Sequence, residues 1–292
     1  MSAGGTRIHD LGYRPYRGER AGVPWAVRSL AVHSMRRALG LKRSARHKIA
    51  PLLSIAIAYV PAVALAGFAA FLGGEIIEDL IGFGEYFGIS SFSLFLFAAA
   101  VAPGVLTTDR TSGMLALYLA SPLNRTTYVL AKAIGIFAVM LIVAVGPILF
   151  LIAGYWLAGA GPDGVLETIE VLARALFAGA LTAALYTGVS MFICSIPRRW
   201  AIATLAIVGF FIVSSLLAIG LTESTDVPDL IVLASPDDVM SKAAQHIMGD
   251  LSPTVDAIDE RPGWLLVVVS AGYGVVALAA SWWRYQTIEV ER

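Results

Sequence analysis

Six stretches of mostly apolar residues, 18 to 27 long, recur along the chain at Ile49–Leu72, Ile89–Leu106, Ala131–Leu157, Val171–Ile196, Ala201–Leu221 and Trp264–Trp283. A helix rises about 1.5 Å per residue, so roughly 20 such residues cross the ~30 Å hydrocarbon layer. Lipid offers the backbone no hydrogen-bond partners, and a stretch that satisfies its own backbone in that solvent is an α-helix. The remaining composition agrees: 58% of residues are hydrophobic and 14% charged, against about a quarter charged in soluble domains. A soluble chain built this way would expose large apolar patches. The expected fold is an all-α integral membrane protein with six transmembrane helices over residues 49–283. A segment 1–48 precedes them and a tail 284–292 follows. Pro197-Arg198-Arg199-Trp200 separates the fourth span from the fifth and reads as a tight hairpin turn. Pro61, Pro103 and Pro147 lie inside apolar runs, where each removes one backbone hydrogen bond and kinks its helix.

The distribution of charge sets the orientation, because Lys and Arg stay on the cytoplasmic side. With the N-terminus inside, 18 of the 21 basic residues are cytoplasmic, leaving Arg174, Lys242 and Arg261 outside. Of the 21 acidic residues, 16 fall in the outer segments. Six spans then return the C-terminus to the same side, giving a multi-pass protein of the cell (plasma or inner) membrane with both termini cytoplasmic. Trp264 at the start of the last span and Trp282-Trp283 at its end suit the two headgroup belts.

Several chemistries have no support in the sequence. Cys194 is the single cysteine, so no intrachain disulfide forms, and a packing role is expected. His9, His33, His47 and His246 show no metal-ligand spacing. No ionisable residue lies deep within a span, as a proton-driven carrier would need, and no charged ring or carbonyl filter marks a channel. Neither a hydrolytic triad nor paired catalytic carboxylates are visible. The first 48 residues are polar and basic, unlike a secretory signal, and are expected to stay in the cytoplasm.

Two cytoplasmic segments carry more specific patterns. From Pro24 to Lys48, apolar Trp25, Leu30, Val32, Met35, Leu39 and Leu41 alternate with Arg28, Arg36, Arg37, Lys42, Arg43, Arg46 and Lys48. This predicts a basic amphipathic helix lying in the membrane plane. Tyr13 to Gly18, with its Pro and Gly, reads as irregular. Between the second and third spans, Met114 to Leu119 forms a short apolar helix flanked by Gly113 and by Ser121-Pro122. Being too short to span, it must dock on protein or on headgroups. Asn124-Arg125 opens the next helix, with Lys132 near its cytoplasmic end.

This inner loop, residues 107–130, resembles that of the type-2 (ABC-2) permease family of ATP-binding-cassette exporters. The family pattern runs acidic-Arg, Gly, an apolar turn, Ser/Thr-x-Pro, a Ser/Asn-Arg pair and a Lys. Here Asp109-Arg110, Gly113, Leu115, Leu117, Leu119, Pro122, Arg125 and Lys132 stand at those places. Asp109 replaces the commoner Glu, and Ser112-Gly113-Met114 stands where Gly-Thr often occurs. The resemblance implies a permease subunit whose short inner helix couples it to a separate ATP-binding-cassette ATPase. Asp109, Arg110 and Arg125 would supply charged contacts to that partner, and Leu115, Leu117 and Leu119 would fill an apolar groove on it. The N-terminal helix, with Trp25, Arg28, Arg36 and Arg37, would be a second, interface contact. The chain holds no Gly-x-x-x-x-Gly-Lys-Ser/Thr phosphate loop, so it is not expected to be an enzyme; ATP and Mg would be bound by the partner, and no cofactor by this chain. A second permease copy, as homodimer or heterodimer, is implied, with membrane lipid around it and no nucleic acid. The cargo stays open among amphiphile, lipid, polysaccharide and ion-linked classes. A non-transporting membrane scaffold or assembly factor is the alternative, and an intramembrane enzyme a further one.

The outer region, residues 222–262, contains a good helix start. Ser235 serves as cap, Pro236 opens the first turn, and Asp237-Asp238 meet the positive helix end. The helix is expected to run to about Met248, be solvated, and plug the outer mouth as such helices do in the resembled family. A metal site from Asp237, Asp238 and His246 is the less favoured reading.

Overall fold

The computed structural model describes residues 21–41, 46–73, 81–159, 161–162, 164–222, 233–249 and 261–288. The Tyr13–Gly18 turn, Lys42, Arg43, most of the outer loop and the last four residues of the tail lie outside the described residues. The described residues form helices and turns, with no strand among them. In chain order the helices are α1 (Val23–Ala38), α2 (Arg46–Leu72), α3 (Glu85–Thr111), α4 (Met114–Leu119), α5 (Arg125–Leu157), α6 (Gly164–Ser195), α7 (Trp200–Thr222), α8 (Pro236–Met248) and α9 (Gly263–Thr287). Six of them, α2, α3, α5, α6, α7 and α9, are long and apolar enough to cross a membrane. They overrun the apolar stretches that announce them, by as much as seven residues where α6 starts at Gly164 rather than Val171. The extra turns mix polar residues such as Asp109, Arg125 and Glu167 with apolar ones and lie beyond the apolar windows from which a span is read.

Helices α3, α5 and α6 form the centre. The largest fully buried side chains belong mainly to them: Tyr86, Phe97 and Leu106 on α3, Tyr128, Ile136, Met140, Ile148 and Tyr155 on α5, and Tyr186 on α6. Helix α2 packs on α3 and α5, α7 on α3, and α9 on α6. Close approach depends on absent side chains. A Cβ at Gly188 of α6 would collide with the Gly274 carbonyl of α9, and one at Gly154 of α5 with Ala66 of α2. Small residues at helix crossings are how apolar helices gain packing contact in lipid.

Pro103 removes the N–H that would have bonded the Ala99 carbonyl one turn earlier. Thr204 of α7 fills that vacancy, its hydroxyl donating to Ala99 O at 3.2 Å. The gap that Pro103 leaves in the α3 hydrogen-bond ladder thus becomes an attachment point for its neighbour.

The amphipathic segment is shorter as a helix than its pattern suggests. Helix α1 stops at Ala38, and Gly40 closes it in the left-handed conformation (φ 67°). The N–H of Leu41 then donates back to the Arg36 carbonyl at 2.8 Å, a glycine-closed helix end. The buried face of α1, with Leu30, Ala31, Ser34 and Ala38, lies on α5. There Gly135 leaves room for it: a Cβ would stand 2.8 Å from both the Ala31 carbonyl and the Ser34 Cβ.

Helix α8 begins and ends where its caps dictate, with Ser235 Oγ accepting from Asp238 N and Gly249 left-handed at φ 88°. It is not a solvated surface helix. Its Val239, Met240, Ala243 and Ala244 are buried against α3, α6, α7 and α9. Arg174 of α6 donates to the Met248 carbonyl at 3.2 Å, while Tyr186 of α6 donates to Asp237. Helix α8 therefore runs alongside α6 in the opposite sense, its first turn pointing into the bundle. Tyr273, about 15 Å down α9 from Gly263, donates to the Leu233 carbonyl just ahead of that turn at 2.7 Å.

The α6–α9 crossing yields a direct expectation. Gly188→Val forces the Gly274 backbone away and lowers stability by about 1–3 kcal/mol, seen as a lower thermal unfolding midpoint in detergent. Gly272→Val, on α9 with open space beside it, leaves the midpoint within error.

Candidate functional site

The short helix α4 is mounted at the end of the bundle where α3 stops and α5 starts. Gly113 takes φ 70°, a left-handed backbone that lets the chain turn from α3 into α4 without a Cβ penalty. Along α4, Leu115 is buried at 7% exposure and Leu117 is 63% exposed. Leu119 and Tyr118 are half-buried. Ser121 and Pro122 are exposed. Helix α5 then begins in a capping box: Asn124 Oδ1 accepts from Thr127 N at 2.8 Å, and Asn124 N donates to Thr127 Oγ1 at 2.9 Å. Two orphan backbone donors are satisfied at once. Helix α4 thus lies between a left-handed glycine and the capped start of α5, with one leucine turned in and one turned out.

Directly behind it lies a buried ion cluster. The Asp109 carboxylate, on the last turns of α3, has no exposed surface. Lys132 Nζ of α5 approaches its Oδ2 at 2.6 Å, and Arg37 Nη1 of α1 its Oδ1 at 2.5 Å. The Tyr128 hydroxyl donates to Oδ2 at 3.0 Å. Lys132, also fully buried, donates further to the Val105 carbonyl at 3.3 Å. Its ammonium stands 5.6 Å and 5.5 Å from the ring centroids of Tyr118 and Tyr128, within cation–π range. Two cations on one carboxylate leave a surplus positive charge, and these ring faces and the carbonyl partly compensate it. Tyr118 of α4 senses the same field. Burial holds its phenol above the ordinary value, Asp109 adds to the shift and Arg37 opposes it. A single carboxylate thus ties α1, α3 and α5 together and lies against α4.

The two neighbouring arginines are also engaged within the chain. Arg110 Nη1 donates to the carbonyls of Ser195 at 2.7 Å and Pro197 at 3.4 Å, which closes the α6–α7 turn against α3. Arg125 donates to the Tyr285 carbonyl at 3.3 Å and to the Gln286 carbonyl, at the end of α9. Trp282 Nε1 and Gln286 Nε2 both donate to Thr126 Oγ1, at 3.1 Å and 3.3 Å.

The residues singled out in sequence therefore divide into two sets. Asp109, Arg110, Arg125 and Lys132 are spent on contacts inside the chain, with Arg37 joining them from α1. Gly113, Leu117 and Pro122 face outward, as do Trp25, Arg28 and Arg36 on the open face of α1. Leu115 belongs to the chain's own core and Leu119 to its edge. The sequence pattern does not show that Asp109 and Lys132 meet, because 23 residues separate them and the contact exists only once α3 and α5 are antiparallel neighbours. Among the described residues, no group of three or more His, Cys, Asp or Glu side chains could hold a metal.

These features define a multi-pass helical membrane protein with a short, partly apolar helix at one end. The chain belongs to the ABC-2 transporter family: the profile described as ABC-2 family transporter protein matches residues 25–290. No curated protein matches the chain.

Breaking the ion cluster has a calculable sign. Asp109→Leu alone strands two cations and lowers stability by about 3–5 kcal/mol, read by chemical unfolding in detergent. Adding Lys132→Met to the same chain restores a large part of that loss, because an apolar pair of similar volume replaces a buried charge pair with little penalty.

Proposed function

We propose that this chain is the permease subunit of an ATP-binding-cassette exporter. It works as one of two permease copies and moves substrate by alternating access, powered by a separate ATPase that binds ATP and Mg. Membership in the ABC-2 transporter family supports the coarse reading. The observation that carries the finer one is Leu117, 63% exposed on a six-residue helix whose flanks are fixed by Leu115, Gly113 and the Asn124 capping box. A large apolar side chain presented outward from a helix anchored by Leu115 fits a groove on another protein.

The contact face then consists of Gly113, Met114, Leu117 and Pro122 from α4 and its flanks, with Trp25, Arg28 and Arg36 from α1. Asp109, Lys132, Arg37, Arg110 and Arg125 act as positioning residues, passing force from that face into α3, α5, α7 and α9. The basic bias of the chain supports a cytoplasmic position for this face, where ATP is available.

Leu117→Asp in the full chain tests the assignment. Interface hot spots contribute about 2 kcal/mol or more, so affinity for the co-expressed ATPase should fall about 30-fold, with unfolding of the permease unchanged. A purified complex that contains no ATP-hydrolysing subunit, or one whose assembly and ATP turnover ignore Leu117→Asp, refutes it.

A further inference from the structure

Helix α8 carries a carboxylate into the interior of the bundle. Asp237 accepts from Tyr186 of α6 and from Ser91 of α3. Its neighbour Asp238 accepts from Ser215 of α7 at 2.7 Å. Tyr186 is nine residues, or about 14 Å, from the Ser195 end of α6, and Ser215 is 15 residues, or about 22 Å, from the Trp200 start of α7. The first measure sets Asp237 about midway across the spans, and the second sets Asp238 about 10 Å inside the Thr222 end of α7. Small side chains and hydroxyls surround it, and a small gap lined by Ser91, Thr182, Tyr186, Met240 and Ser241 adjoins it. Gly88 of α3 is part of the seat, since a Cβ there would stand 2.8 Å from Ser241 Oγ.

The ionisable groups on the surrounding elements are few. Helix α8 itself carries Asp238, Lys242 and His246; α6 brings Tyr186 and, near the far end of α8, Arg174 with Glu170; α3 brings Glu85 and Tyr86; α9 brings Tyr273. Helix α7 has no charged residue. Among the described residues, the groups acting on Asp237 are Tyr186, Asp238 and Ser91, none of them a cation. An ionisable side chain buried at membrane depth is costly unless paired, and here the remedies are hydroxyls alone.

We propose that Asp237 is a proton-binding site that controls the seating of α8: the neutral carboxyl holds the helix tip in the bundle, and its ionisation drives the tip out. Burial raises the Asp237 carboxyl above the ordinary carboxylate range; the Tyr186 hydroxyl opposes that shift, Asp238 adds to it, and Ser91 opposes it. A carboxyl raised in the seated state stabilises seating at low pH. That stabilisation is complete below the ordinary carboxylate range and is lost as pH rises through the seated-state value. The proposal concerns this chain alone and stands whether or not an ATPase drives it.

Thiol accessibility tests it in full-length protein in lipid nanodiscs. The single native cysteine is replaced (Cys194→Ala), and Thr182→Cys, buried beneath seated α8, reports withdrawal to a maleimide probe. Rates are corrected for thiol ionisation with exposed Ser121→Cys. The corrected rate should rise about tenfold or more between pH 5 and pH 8.5, as each unit of a titration is worth up to tenfold. With Asp237→Asn it should stay at the low-pH level throughout. Tyr186→Phe, which removes a donor favouring the ionised form, should move the rise to higher pH and serves if the asparagine variant does not fold. A flat corrected rate in the Asp237 chain, a rise that persists in Asp237→Asn, or an unmoved rise in Tyr186→Phe overturns the proposal.

Discussion

The end of the molecule that bears α4 is organised around one carboxylate. Asp109 is the meeting point of α1, α3 and α5, and without its charge Lys132 would have no place in a fully buried position. The energetics are asymmetric: a buried pair adds little over an apolar filling of the same shape, but half a pair is severely destabilising. Such a joint specifies which helices meet more than it raises stability. It also leaves α4 against a fixed field, with the Tyr118 ring beside the Lys132 ammonium.

At several helix crossings the bundle gains contact by removing bulk. Gly135 admits α1, Gly154 admits α2 and Gly188 admits α9, so α5 presents shallow hollows to two neighbours and α6 to one. Peripheral α2, α7 and α9 keep most of their surface open. The hydroxyl of Thr204 shows how a polar group enters such a core: it meets the carbonyl that Pro103 stripped of its usual partner.

Much of this was legible in the sequence because it is local. Six apolar runs announce six spans, and Ser235-Pro236 and Gly249 bracket α8 to the residue. Asn124 and Gly113 mark the flanks of α4. Non-local information was hidden. The spans contain no deep ionisable group, yet Asp237 reaches the interior because a segment between spans folds back in, which hydropathy along the chain does not record. The run of Arg and Lys to Lys48 suggested one long amphipathic helix, and Gly40 ended it. Asp109 and Arg125 looked like surface charges from their loop position, whereas the structure satisfies both internally.

Helix α5 begins at the capping box beside α4 and continues through Pro147 to Leu157. Its contact with α1 at Gly135 lies about 15 Å from its foot and about 33 Å from its head. Gly154 holds the far part of the same helix against Ala66 of α2, so α5 is gripped on both sides of Pro147 rather than hinged at one point.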